Sequence, residues 1–242
     1  MGRVASGLGP DQGSRPLHPP EGGPTPSGKK GVDALLGQTV SHAKRRGLIP
    51  PKPRGAIDAT GYETHHASRY YVWRQGKRRR QKFWPKWTVV LETASHLFLS
   101  AQVSRGPSQD SPQFKPTTRA ATARCALDTL LGDRGYDAEH NHAYGRERLK
   151  IRSTVFPLNR RNSGRRRPQT KYRRQMRKRF RRRPRRARYR RVYGQRWQVE
   201  SGFSRQKRLL GSALRARQWI SQKKEILLRV LTHNLMLLAG SP

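Results

Sequence analysis

The chain has 242 residues, of which 33% are hydrophobic, and Lys and Arg outnumber Asp and Glu by 54 to 14, for a formal net charge of +40 at pH 7. That length suits one catalytic domain with a sizeable core plus a small appendage, and that charge strains a compact state unless a polyanion neutralises it, which favours nucleic acid over an acidic membrane surface. No stretch reaches the roughly 18 apolar residues of a membrane span, and the single cysteine, Cys125, excludes an internal disulfide or a cysteine-based zinc site.

Residues 1–30 are rich in Gly, Pro and Ser and read as a disordered tail. Met1 to Pro20 lacks the apolar core of a secretory signal, so a cytoplasmic, nucleoid-associated protein is expected. A short helical lead-in and linker fills 31–54, with the helix over Gly31 to Arg46. Ala56 to Thr60 reads as a strand. Trp87 to Glu92 and Leu97 to Ser104 read as a hairpin turning through Thr93, Ala94 and Ser95. A helix over Phe114 to Ala126 follows, then a buried strand, Leu127 to Leu131, ending at Gly132 and Asp133. Ala138 to Leu149 reads as a helix, and Ser153 to Leu158 as a strand stopped by Pro157. Residues 160–191 then hold 19 Lys or Arg among 32, an Arg-rich insertion that reads as a linker unable to pack as a core. Two helices close the chain, Tyr189 to Leu210 and Gln222 to Leu238, the latter with a core stripe of Leu227, Val230, Leu231, Leu235 and Leu238. This order predicts an α/β domain over 55–240, a central sheet flanked by helices.

The first closing helix carries Tyr193, Arg196, Glu200 and Lys207. At about 100° per residue, Arg196 lies about 60° from Tyr193, Glu200 about 20° and Lys207 about 40°, all to one side. Val199, Phe203 and Leu210 cluster at about 80–120°, an apolar flank suited to a core. The polar stripe therefore borders the interior, where the wall of an active site belongs. The bland alternative is a helical salt bridge of a few tenths of a kcal/mol.

These four residues stand as Y-x2-R-x3-E-x6-K, and in this the chain resembles the DDE transposases of bacterial insertion sequences. Ile57-Asp58-Ala59-Thr60-Gly61 resembles the segment bearing their first catalytic aspartate. Gly132-Asp133-Arg134-Gly135-Tyr136-Asp137 resembles the segment bearing the second. Asp110-Ser111 followed by Phe114 resembles the start of their first sheet-covering helix, and Arg196-Trp197-Gln198-Val199-Glu200-Ser201 the run into the third carboxylate. The resemblance spans roughly residues 35 to 238 and implies a ribonuclease-H-like mixed sheet. It also implies metal-dependent DNA strand cleavage and strand transfer during transposition. Asp58, Asp133 and Glu200 would be catalytic and metal-binding, with two Mg²⁺ ions and Mn²⁺ as a substitute. Tyr193, Arg196 and Lys207 would contact DNA. Double-stranded DNA, as element ends and target, is the expected partner, and pairing two ends favours a homodimer.

The chemistry is coherent without the name. In-line displacement at a phosphodiester uses two divalent ions about 3.5–4 Å apart, and Mg²⁺ wants oxygen ligands. The three carboxyl groups are therefore expected within about 10 Å of one another: Asp58 on a strand, Asp133 just past a neighbouring strand end, Glu200 on a helix. Trp197 has two readings, stacking on an unpaired base or burial in the core. Asp137 reads as a cap on the helix at Ala138, and His65-His66 and His140-x-His142 as solvated loop. The Arg-rich run reads as a linker that is disordered in the free protein and orders along the DNA backbone. Only 57 residues precede Asp58, whereas the family usually carries a longer N-terminal region that reads terminal repeats. A truncated copy and a minimal variant are both open. The alternative function is a defective relative acting only as a nuclease or a basic DNA-binding protein.

Overall fold

The computed structural model describes residues 28–64, 83–159, 168–181 and 190–240. The disordered-tail reading for 1–27 and the His65-His66 reading lie outside the described residues, as do 160–167 and 182–189 of the Arg-rich run. The lead-in is a helix, α1 (Gly28–Arg45). The strands are β1 (Arg54–Gly61), β2 (Glu63–Thr64), β3 (Trp84–Glu92), β4 (Phe98–Gly106), β5 (Thr129–Gly132), β6 (Ser153–Val155) and β7 (Ala213–Leu214). Among the described residues, five of them form one mixed sheet in the order β4-β3-β1-β5-β6. β1 pairs antiparallel with β3, and β3 with β4; β5 runs parallel to β1, and β6 to β5. β2 and β7 make a small parallel patch.

The pleat sends successive residues of the central strand to opposite faces. Ala56 faces one core, built with Trp87, Val89 and Leu91. Val199 and Phe203 of α5 (Trp197–Leu210) and Ile226 and Val230 of α6 (Trp219–Ala239) complete it. Ile57 faces the other, with Val90, Leu130, Tyr136, Phe156, and Phe114 and Ala121 of α2 (Ser111–Arg124). Helices thus cover both faces of a mixed sheet, as a ribonuclease-H-like fold requires. Trp87 stands edge-on to Phe203 at 4.9 Å between centroids. α5 rides so close that a Cβ on Gly202 would lie 2.4 Å from Leu91 Cδ1, so glycine there sets the distance of the helix from the strands. α6 is tied to the sheet by Asn234, whose Oδ1 accepts from the Phe98 amide at 2.9 Å and whose Nδ2 donates to the Phe98 carbonyl at 2.9 Å.

Several sequence expectations need correction. The helix expected over Tyr189 to Leu210 is not continuous: the chain turns at Gln195 and Arg196 before α5 begins. Gly194 weakens the helix there, and the Gln195 side chain is taken by Arg54, which donates to it at 3.0 Å. The helix expected over Ala138 to Leu149 is α3 (Glu139–Ala143) running into a π-helical turn, Tyr144–Arg148. Asp137 does not cap it; the residue at the cap, Ala138, makes no side-chain bond. His140 is exposed, but His142 is buried on α3, with Nδ1 2.7 Å from Thr154 Oγ1, so the solvated-loop reading fails for it. Trp197 is exposed rather than in the core. Inside the Arg-rich run, residues Lys171–Arg181 form a helix, α4, with Tyr172 and Met176 buried, where no packed structure is expected from composition.

Candidate active site

Asp58 lies on β1 and Asp133 directly after β5. Ile57 and Gly132 are register partners on these parallel neighbours, so the two aspartates follow side by side, Asp58 still within its strand and Asp133 just past the end of its own. Asp133 is shaped by its own turn. Its Oδ1 accepts from the Gly135 amide at 2.8 Å and caps a 3-10 turn, Arg134–Tyr136. A Cβ on Gly135 would stand 3.0 Å from that oxygen, so a side chain there would press on the carboxylate.

Glu200 sits in the first turn of α5, more than half exposed at 54%. Arg196, at the turn preceding the helix, joins the two elements. Its Nη1 donates to Asp58 Oδ2 at 3.0 Å and its Nη2 to Glu200 Oε1 at 2.5 Å. One guanidinium thus spans the first and third acidic residues of the signature, and the planar fork of Arg suits that task. The other Asp58 oxygen accepts from the Ala59 amide at 2.8 Å.

Charge is crowded here. Burial pushes the Asp58 carboxyl up to about 6, against the Ala59 amide and Arg196, and the charges of Asp133 and Glu200 add to the rise. Burial also raises Asp133, and Asp110 adds to that rise. Asp110 is an acidic neighbour that the sequence reading did not assign to the site. It precedes α2 and is paired with Lys86; its only signal in the sequence was its place ahead of Ser111 and Pro112. Burial raises the Tyr193 phenol, beside Arg196 and Asp133.

Lys207 stands further along α5. Its Nζ donates to Thr60 Oγ1 at 2.9 Å and to the Gly61 carbonyl at 2.8 Å, and burial lowers its pKa. Glu200 and Lys207 therefore meet β1 in the same order as Asp58 and Gly61: α5 runs along the central strand in the strand's own direction. All six residues singled out from the sequence lie along this β1–α5 wall and the adjoining end of β5.

The sequence matches the transposase DDE domain family over residues 49–235. The chain belongs to the DDE transposases. A comparison with curated proteins gives no match. Membership makes the protein an enzyme that cleaves and transfers DNA strands, acts on DNA and uses divalent metal ions. No helix among the described residues is long and apolar enough to cross a membrane. The donor set suits a hard divalent cation. It is all oxygen, two of its members stand side by side on neighbouring strands, and a cationic guanidinium already lies between Asp58 and Glu200. Among the described residues no three or more His, Cys, Asp or Glu side chains are gathered closely enough to hold a metal ion as they stand.

Proposed function

We propose that Asp58, Asp133 and Glu200 are the catalytic carboxylates of this transposase and hold two Mg²⁺ ions, with Mn²⁺ able to substitute. The observation that carries this reading is the meeting of three separate chain segments: Asp58 beside Asp133 across parallel strands, and Asp58 joined to Glu200 through Arg196. Ions held there would activate water, or later a DNA 3′-hydroxyl, and stabilise the leaving oxygen. Arg196 offsets part of the burial of Asp58 and holds Glu200 beside it until a cation competes for them. Its fork then turns to a phosphate of the reacting strand. Tyr193 packs beside Arg196 and adds a hydroxyl to the same contact. Lys207, held by Thr60 and Gly61, acts as a fixed point charge for the strand further along β1. The DNA consists of the ends of an insertion element and a target, the ends paired by a homodimer in the cytoplasm, at the nucleoid.

The test is nicking of a supercoiled plasmid carrying the element's ends. Asp58→Asn and Asp133→Asn should each lower Mg²⁺-dependent nicking by orders of magnitude while leaving binding to the ends intact. Parental nicking by either variant would remove that residue from the reaction.

A further inference from the structure

The basic helix α4 is held in a cradle of carboxylates. Glu139 caps its first turn: its two oxygens accept from the Tyr172 amide at 2.9 Å and the Arg173 amide at 3.1 Å. The Tyr172 hydroxyl donates to Glu147 at 2.7 Å, and Arg173 pairs with the fully buried Asp137 at 3.0 Å. Three of the chain's 14 acidic residues therefore serve to dock this one helix. Tyr172 and Met176 lie under it, and the Arg146 guanidinium lies 4.8 Å from the centre of the Tyr172 ring. At the far end Phe180 meets the Tyr193 ring edge-on at 5.8 Å. α4 is thus anchored at one end to the segment that follows Asp133 and at the other to Tyr193.

Docking fixes what the helix shows outward. Lys171, Arg174 and Lys178 are exposed. At about 100° per residue they fall within about 60° of one another, and Tyr172 and Met176 lie about 100° and 140° round from Lys171. The three cations leave the helix along one stripe about 10 Å long on the side away from the cradle, the Lys171 ammonium leaning over the Tyr172 ring at 5.0 Å from its centre. A free linker would need no such orientation. In a chain of net charge +40, a cluster of fixed cations is self-repelling until a polyanion meets it.

We propose that α4 is a docked DNA-contact element, laying Lys171, Arg174 and Lys178 on the phosphates of duplex DNA beside the reacting strand. The partner, DNA, rests on the transposase reading; the geometry of the stripe does not. Direct phosphate neutralisation releases counterions and sets the salt dependence of binding. The experiment is equilibrium binding of the full chain to a duplex across a range of salt, in EDTA, so that no cleavage is needed. Changing Lys171, Arg174 and Lys178 together to Ala should reduce the log–log salt slope by about 2 to 3. Exchanging Lys171→Arg, Arg174→Lys and Lys178→Arg should restore it. A triple-alanine variant with the parental slope, folded by thermal unfolding, overturns the proposal. So does an unchanged DNA slope with lost binding to phosphatidylserine vesicles, which would assign the stripe to a membrane surface. Failure here leaves the carboxylate triad standing, and failure of the nicking test leaves this slope unaffected.

Discussion

Two of the places where acidic residues meet arginine, the β1–α5 wall and the cradle under α4, turn out in opposite ways. Within β1 and just past β5, burial raises Asp58 and Asp133, and one guanidinium shared between Asp58 and Glu200 does not offset it. Under α4, burial also pushes Asp137 up, but His142, Arg173 and the Asn159 amide outweigh it and hold the carboxyl below its usual range. Glu139 is likewise held low, because the amides of Tyr172 and Arg173 outweigh its burial. The cradle is a finished structure, with its charges satisfied within the protein. The β1–α5 wall is less compensated: the donors aimed at Asp58 and Asp133 do not outweigh their burial. Both regions carry the same residue types, so composition does not separate them; the count of donors aimed at each carboxylate does.

The contrast breaks most visibly if the cradle is opened. Arg173→Ala leaves Asp137 buried without its main cation, which costs about 3–5 kcal/mol. Denaturant unfolding should show that loss, whereas Arg196→Ala at the more open wall should cost far less. Equal losses would mean the two sites are compensated alike.

Acid should act next. Burial holds His142 below its ordinary pKa and pushes His233 down to about 4. An unfolded histidine takes its proton near 6.5, so the unfolded chain binds protons first as pH falls. The histidines' share of the stability is then full above about pH 6.5 and declines toward pH 4, by about 3 kcal/mol for His233. The lowered Asp137 and Glu139 add a further loss below their ordinary pKa values. Asp58, raised to about 6, and Asp133, also raised by burial, act in the opposite sense below pH 6, because there the folded chain takes up protons first. The histidine loss is therefore read as a difference: between pH 6.5 and 4 the parent should lose about 3 kcal/mol more than His233→Asn, and equal losses in the two would contradict the burial of His233. The smallest effect belongs to Lys207→Ala, which should weaken binding of the reacting DNA end a few-fold and leave the metal dependence of nicking unchanged. A shift in metal requirement would place Lys207 nearer the carboxylates than its bonds to Thr60 and Gly61 allow.

What the sequence made legible follows from how local each signal is. The β3–β4 hairpin, the buried β5 and the last helix show in their apolar patterning and turn residues, with ends displaced by a few residues, although Leu235 of the expected core stripe is exposed. Asp58 and Asp133 fall where expected, on a strand and just past its parallel neighbour. The break before α5 was hidden because the spacing of Tyr193, Arg196, Glu200 and Lys207 fits one helix. At the break Gln195 accepts from Arg54, far away in the chain, a contact that spacing alone does not reveal. α4 was hidden by composition: the density of arginine masks Tyr172, Met176 and Phe180 at intervals of four, and its docking depends on Asp137, Glu139 and Glu147 from another segment. Asp137 reads as a helix cap only until Arg173 is seen against it.

Glu200 is where the central claim is most exposed. Its ion pair with Arg196, four residues earlier, is also what a plain helical salt bridge looks like, and such a pair contributes only a few tenths of a kcal/mol. Glu200→Gln keeps size and shape and removes the anionic oxygen. Measured side by side with binding to the element's ends, Mg²⁺-dependent nicking by this variant should fall by orders of magnitude. Affinity for the ends should hold level or rise, because a charge that repels phosphate is gone. Nicking at the parental rate would show Glu200 to be a salt-bridge partner alone, and the three-carboxylate centre would not stand.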